Sequence, residues 1–226
     1  MLARVGKNDS YTDQVRETLL SAIATGVLRA GTLYSMQALA DQMGVSRTPV
    51  REAMLQLQQQ GVVRVMRNQG ALILGRSAEE LRQVFQIRRW LEVPAIREAA
   101  SRIDEAGEQQ LKQRFEQMRQ AAADGDRTEL ERADRAFHAT ILRLSGNDRL
   151  EDMVGGIRDL VISQDQAAGD RERPLSEIVE QHTPILDALI ARDPAAASAA
   201  MERHLELMAE WAIATAQDTP SASEQD

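Results

Sequence analysis

The chain contains no cysteine. That absence rules out a disulfide framework and thiolate ligation, so any metal must be held by histidine and carboxylate. Histidine is nearly absent too, limited to His138, His182 and His204. No stretch approaches the roughly 18 apolar residues of a membrane helix, so no membrane partner is expected. The opening MLARVGKNDSYTDQ has no apolar segment of the kind a secretion signal needs, which makes the cytoplasm the expected location. Internal repeats and long heptad runs are missing as well. What remains is a chain of 226 residues, 43% hydrophobic, with room for one large or two modest domains and real cores.

The net charge of −8 is unevenly spread. Residues 1–75 hold 8 Lys and Arg against 5 Asp and Glu, a net of +3, and the rest of the chain carries −11. A mildly basic head on an acidic body is the asymmetry of a nucleic-acid-binding module attached to something else.

The head reads as helix, helix, tight turn, helix, hairpin. From Tyr11 to Thr25, Val15, Leu19, Leu20 and Ile23 keep helical spacing, and Gly26 stops the run. Ser35 is an N-cap candidate for a short helix holding Leu39, Ala40 and Met43, which Gly44 ends. After Val45, Ser46 caps a helix to about Gln60 whose Val50, Ala53, Met54 and Leu57 face inward, and Gly61 closes it. Val62–Met66, the turn Arg67-Asn68-Gln69-Gly70 and Ala71–Leu74 predict a β-hairpin.

Beyond Gly75 strand signals vanish. Helices are expected at 77–102, 105–123, 127–144, 147–165, 176–191 and 194–216, punctuated by Gly125, Gly146, Gly169 and Asp193-Pro194. Pro94 should kink or divide the first, and Pro184 should start or kink the fifth. The fold class expected is an N-terminal winged helix-turn-helix, three helices plus a hairpin wing, on an antiparallel all-α bundle of six to seven helices. The domains expected are residues 1–75, residues 76–218, and a disordered polar tail at 219–226.

Two short helices joined through Met43-Gly44-Val45-Ser46 fit a helix-turn-helix, whose second helix would enter the major groove N-terminus first. That places Ser46, Arg47, Thr48 and Arg51 at the DNA: Arg offers a bidentate fork, while the hydroxyls and helix N-terminus hold phosphate. Pro49 suits the first turn, where its missing N–H costs nothing. The hairpin becomes the wing, with Arg67, Asn68, Gln69 and Gly70 at its tip and Arg64 or Arg67 within reach of phosphate or the minor groove. SRTPVREA (46–53), the preceding LADQMGVS and the QG of the wing resemble the GntR family of bacterial regulators across residues 11–75. The resemblance implies operator binding by a homodimer, with Arg47 and Arg51 the main contacts and Thr48 and Gly70 in support. One departure is Gln37-Ala38, where many relatives carry a charged residue.

The three histidines fall on three different predicted helices, and Asp134 precedes His138 by four residues, so both project from one helical face. Each histidine alone reads as a core or surface residue. Together, a carboxylate and three imidazoles would suit Zn²⁺, Ni²⁺ or another first-row divalent ion. DRAFH (134–138), LSGN (144–147), His182 and MERHL (201–205) resemble the FCD ligand-binding domain of the FadR-type GntR subfamily, across residues 77–212. The resemblance to its metal-binding branch implies one divalent transition metal per chain on Asp134, His138, His182 and His204. Arg88 in RRWLE (88–92) resembles the subfamily's effector-pocket arginine, which implies a small carboxylate effector clamped by Arg88 at the metal. Phe85 and Trp90 read as packing residues.

The function expected is a DNA-binding regulator, in its usual form a repressor, controlled by a small organic acid at the metal. Two rivals differ from it. The metal could be purely structural or itself the signal, or an Asp/His₃ site with an open position could activate water as an enzyme does. No further acid, base or nucleophile motif accompanies the metal set, so enzyme activity is not expected.

Overall fold

The computed structural model describes residues 11–24, 27–162 and 173–216. Expectations for Thr25, Gly26, Gly169, the end of the helix read at 147–165 and the tail from Thr219 lie outside them.

The head packs α1 (Tyr11–Ala24), α2 (Met36–Met43) and α3 (Arg47–Gln59) against a small sheet. Val15, Leu19, Leu20 and Ile23 form one buried stripe on α1, set against Val50, Ala53, Met54 and Leu57 of α3. Ser35 is extended and accepts from the Ala38 N–H, capping α2, and Gly44 ends it in the left-handed region at φ 65°. Both features follow from the sequence, since a hydroxyl satisfies an orphan N–H and only glycine takes that φ without strain.

The sheet has one more strand than the hairpin expected. β2 (Val63–Met66) and β3 (Gly70–Ile73) pair antiparallel, and β1 (Leu33–Tyr34) adds to the other edge of β3, giving the order β1-β3-β2. Leu33 lies opposite Leu72 and Tyr34 opposite Ala71. Two residues give too short a pattern for alternation to reveal, and only the free edge of β3 recruits them.

The body consists of α4 (Ala78–Arg102), α5 (Glu105–Ala123), α6 (Arg127–Leu144), α7 (Asp148–Ile162), α8 (Leu175–Ile190) and α9 (Pro194–Ala216). Polar caps fix several starts: Ser77 and Glu80 form a reciprocal capping box, and Asp104 and Asp126 cap α5 and α6. α4 packs along α9 and α5 along α6 and α8. Phe137, fully buried, sits in a core with Leu111, Met118, Leu130, Ile185 and Leu205.

Of the alternatives at the two prolines, division of α4 and a start of α8 at Pro184 do not occur: α4 runs undivided through Pro94, and α8 starts at Leu175 and runs through Pro184. Both prolines sit on exposed faces, four residues after the exposed Trp90 and Glu180, so the carbonyls that lose a helical partner can bind water instead. Trp90 does not pack: it is 65% exposed, whereas Phe85 is buried beneath Arg88. Among the described residues no helix is long and apolar enough to cross a membrane.

Candidate DNA-reading face and candidate metal centre

The first candidate site is the start of α3 and the β2–β3 turn. Ser46 is the extended N-cap of α3 and its hydroxyl makes no capping bond, which leaves it and the first-turn N–H groups available to an anion. Ser46, Arg47, Thr48 and Arg51 are all exposed, as are Arg64 and Arg67 on the hairpin. Against them, Pro49 and Val50 are buried and fix the helix to the head core. No other described residue bonds the side chains of Arg47, Arg51, Arg64 or Arg67. Gly70 is buried at φ 140°, and a Cβ there would overlap the Tyr34 carbonyl. Its bare Cα therefore lets β1 close on β3.

The second site lies inside the body. Helical register turns His138 on α6, His182 on α8 and His204 on α9 toward one another, and each is almost fully buried. Their ligating nitrogens lie within 4.8 Å of one another. His138 Nε2 is 3.1 Å from His182 Nε2, and Asp134 Oδ1 is 2.8 Å from His182 Nε2 and 3.9 Å from His138 Nε2. The structure thus gathers the three histidines that were scattered in sequence, and Asp134 stands beside two of them.

The surrounding groups determine the electron count. His182 Nδ1 donates to the Ile178 carbonyl at 2.7 Å, so its Nε2 is the atom turned inward. His138 Nδ1 lies 3.3 Å from Glu92 Oε2, in ion-pair range but short of a formed hydrogen bond. His204 Nδ1 is buried and has no hydrogen-bond partner among the described residues. Burial first, and then the charge of Arg158, pushes His138 down to about 4, and burial with the neighbouring histidines lowers His204 well below its ordinary value. Those two imidazoles are neutral at pH 7 and offer lone pairs. Burial alone would raise the carboxyls of Glu92 and Asp134, but Arg88 beside the first and Arg158 beside the second hold both well below the usual range.

His182 Nε2 therefore faces a carboxylate oxygen and another imidazole nitrogen at once. With the His138 proton on Nδ1, toward Glu92, the 3.1 Å contact sets two imidazole lone pairs and a carboxylate oxygen together, an arrangement that suits a bound cation; with it on Nε2, His138 donates to His182. Ligands each about 2.1 Å from a tetrahedral ion stand about 3.4 Å apart, close to the separation of His138 and His182. The donor set of imidazole nitrogens and one carboxylate, with an orphaned buried nitrogen, fits a borderline divalent ion.

Arg88 is 3% exposed, and its Nε donates to Glu92 Oε1 at 2.6 Å. It also lines a cavity of about 200 Å³ that reaches Asp134 and His182. Sequence reasoning missed two residues here. Glu92, four residues after Arg88, binds Arg88 and faces His138, and its signals were the i, i+4 spacing and its place at the end of RRWLE (88–92). Arg158 on α7 donates to Asp134 and lies 3.9 Å from Glu92, and nothing in the sequence marked it. The cavity has a further surprise: Glu17, Leu20 and Ser21 of α1 form part of its wall.

Comparison with known proteins gives these two sites a context. The family model described as bacterial regulatory proteins, gntR family, matches residues 11–73, and the FCD domain model matches residues 83–207. The chain is 32% identical over 198 residues to the probable D-xylose utilization operon transcriptional repressor of Paenarthrobacter nicotinovorans, covering 87% of this chain and 86% of that one. It is 27% identical to the transcriptional repressor RspR of Escherichia coli K12, with 87% and 86% covered. Among solved structures, E. coli McbR/YncC superposes with a TM-score of 0.78 at 25% identity, covering 90% of this chain and 97% of that one. A GntR regulator from Rhodococcus sp. RHA1 gives 0.74 at 23% identity over 91% and 98%, a likeness of fold.

Proposed function

The chain belongs to the gntR family of bacterial regulatory proteins and carries an FCD domain, which makes it a DNA-binding transcriptional regulator, and we propose that a small organic acid held at a divalent metal controls its operator binding. Residues 1–75 form the reading head, residues 76–218 the sensing body, and two chains pair so that two heads meet two half-sites. The observation carrying the metal is the convergence on His182 Nε2, where Asp134 and His138 both present electron density to one point. Asp134, His138, His182 and His204 hold the ion, Zn²⁺ or Ni²⁺ by ligand type. Bound there, the metal supplies an open coordination position to an acid. The protein's own groups do the rest. Glu92 and the Ile178 carbonyl orient His138 and His182, Arg88 stands on the cavity wall as a guanidinium anchor, and burial keeps the acid from competing water.

At the other end, Ser46, Arg47, Thr48 and Arg51 present hydroxyls, forks and helix N–H groups to the major groove, with Arg64 and Arg67 set for the backbone alongside. Gly70 shapes the wing by admitting β1. An acid that binds one arrangement of heads better than another shifts the population toward it, and repression is relieved or imposed accordingly.

The test is a calorimetric titration of chelator-stripped protein with Zn²⁺ and Ni²⁺. One ion per chain is expected, with affinity reduced at least about 100-fold in His204→Ala, which removes a buried ligand. Binding of equal strength in wild type and His204→Ala would contradict the metal centre.

A further inference from the structure

Arg158 lines both the cavity described above and a second one, of about 360 Å³, which His138, Gly155 and Asp159 also line. Its Nη2 donates to Asp134 Oδ2, but its Nη1 is buried with no hydrogen-bond partner among the described residues. The side chain is 14% exposed, so an ordinary solvent shell does not serve that donor. One half of the guanidinium fork is hydrogen-bonded, and the other faces Glu92 Oε2 at 3.9 Å, in ion-pair range, without a hydrogen bond.

The charges around it decide what it can receive. Arg88 and Arg158 are matched by Glu92 and Asp134, through contacts that tie all four together. A divalent ion on Asp134 and the histidines would add two positive charges to this group, on a cavity wall that already carries Arg127, Arg132, Arg135 and Arg173 against Glu17 and Glu131. It also competes with Arg158 for Asp134, whose carboxylate now serves the ion. Two uncompensated positive charges away from water are costly, and an anion with two acidic groups cancels them.

Building on the metal-and-acid reading above, we infer that Arg158 exchanges Asp134 for the ligand. One acidic group of a dianionic organic acid binds the metal, and the second takes the Arg158 fork. Arg158 is thus the residue that distinguishes a diacid from a monoacid.

The next two residues of α7 carry that exchange to the head. Asp159 is 2% exposed, bonded to Arg135 at 2.6 Å and 3.9 Å from Arg16 of α1. Leu160 packs against both the head core and the body, and its Cδ2 is 3.7 Å from where a Cβ on Gly61 would stand. Consecutive residues of one helix share a backbone, so the structure links Arg158 to the head contacts of Asp159 and Leu160, and hydrogen exchange in the head reads whether a new partner for Arg158 alters them. The coupling is short because α1 already forms a wall of the same cavity.

The experiment compares malate with lactate, which share a 2-hydroxycarboxylate and differ by one carboxyl. Calorimetry on the full-length, Zn²⁺-loaded protein should find malate bound about 10- to 100-fold more tightly than lactate, the range for a charge-assisted hydrogen-bonded pair. Arg158→Gln should erase that preference while Zn²⁺ affinity holds or rises, because the competitor for Asp134 is gone. Arg158→Lys, which keeps the charge without the fork, should fall between them. Malate should also change hydrogen exchange in residues 11–24, and Asp159→Asn should abolish that change with malate affinity kept. A malate preference that persists in Arg158→Gln overturns the assignment, and so does loss of Zn²⁺ binding in that variant, which would mean Arg158 only builds the site. Failure of the wild type to bind either acid in a Zn²⁺-dependent way would instead sink the metal-and-acid reading, before any variant is made.

Discussion

Glu92→Gln is a nearly isosteric change that asks whether a buried carboxylate organises the sensing site. Glu92 is 1% exposed and bonded to Arg88 at 2.6 Å, with His138 Nδ1 at 3.3 Å and Arg158 at 3.9 Å. The amide keeps the volume and removes the charge, leaving two guanidinium groups with Asp134 alone. Breaking a buried ion pair on one side costs about 3–5 kcal/mol, because the surviving charge stays buried without a partner. For a chain of this size each kcal/mol moves the midpoint by about 2–4 °C, so thermal unfolding of the stripped protein should shift down by about 6–20 °C. The pair itself need not be net stabilising. Replacing both members, Arg88→Met with Glu92→Leu, removes both charges at once and should restore the midpoint to within a few degrees. Glu92 also faces the outer nitrogen of His138, and loss of such a carboxylate weakens metal binding about 10- to 100-fold. Differential scanning calorimetry and a Zn²⁺ titration read the two effects separately. If Glu92→Gln unfolds with the wild type and binds Zn²⁺ equally well, the carboxylate neither neutralises Arg88 nor orients His138, and the reasoning fails.

Two further predictions concern the head. On DNA selected by the wild type from a random library, Arg47→Ala with Arg51→Ala should lose at least about 30-fold in affinity, two contacts of about 1–3 kcal/mol each, in a mobility-shift or anisotropy titration. Undiminished binding would remove these residues from the interface. Gly70→Ala should destabilise the head by about 1–3 kcal/mol in urea, since φ 140° disfavours any Cβ and this one meets the Tyr34 carbonyl. A change under about 0.5 kcal/mol would mean that β1 does not depend on the close approach.

Local chemistry made much of the fold legible. Ser35 and Gly44 bracket α2, the spacing of Val15, Leu19, Leu20 and Ile23 gives α1 its buried stripe, and the body helices begin close to where caps and glycines place them. Interactions within a few residues are written in order along the chain. β1 could not be read this way, because its two residues become a strand only against the edge of β3. Trp90 defied its composition for the same reason: an aromatic ring is buried only if enough packs on it, and the described chain leaves this one 65% exposed.

By itself the sequence determined the head's helix-turn-helix, the run of helices behind it and the residue types able to hold a metal. Only the tertiary structure decided that His138, His182 and His204 come within 4.8 Å of one another with Asp134 beside two of them, since three separate helices must cross with the right register to bring them together. It alone added Glu92 and Arg158, whose roles depend on which charges lie beside them once water is excluded. It also set α1 of the head against the sensing cavity. Charge and periodicity are properties of a chain, whereas a binding site is a property of what the folded chain brings together.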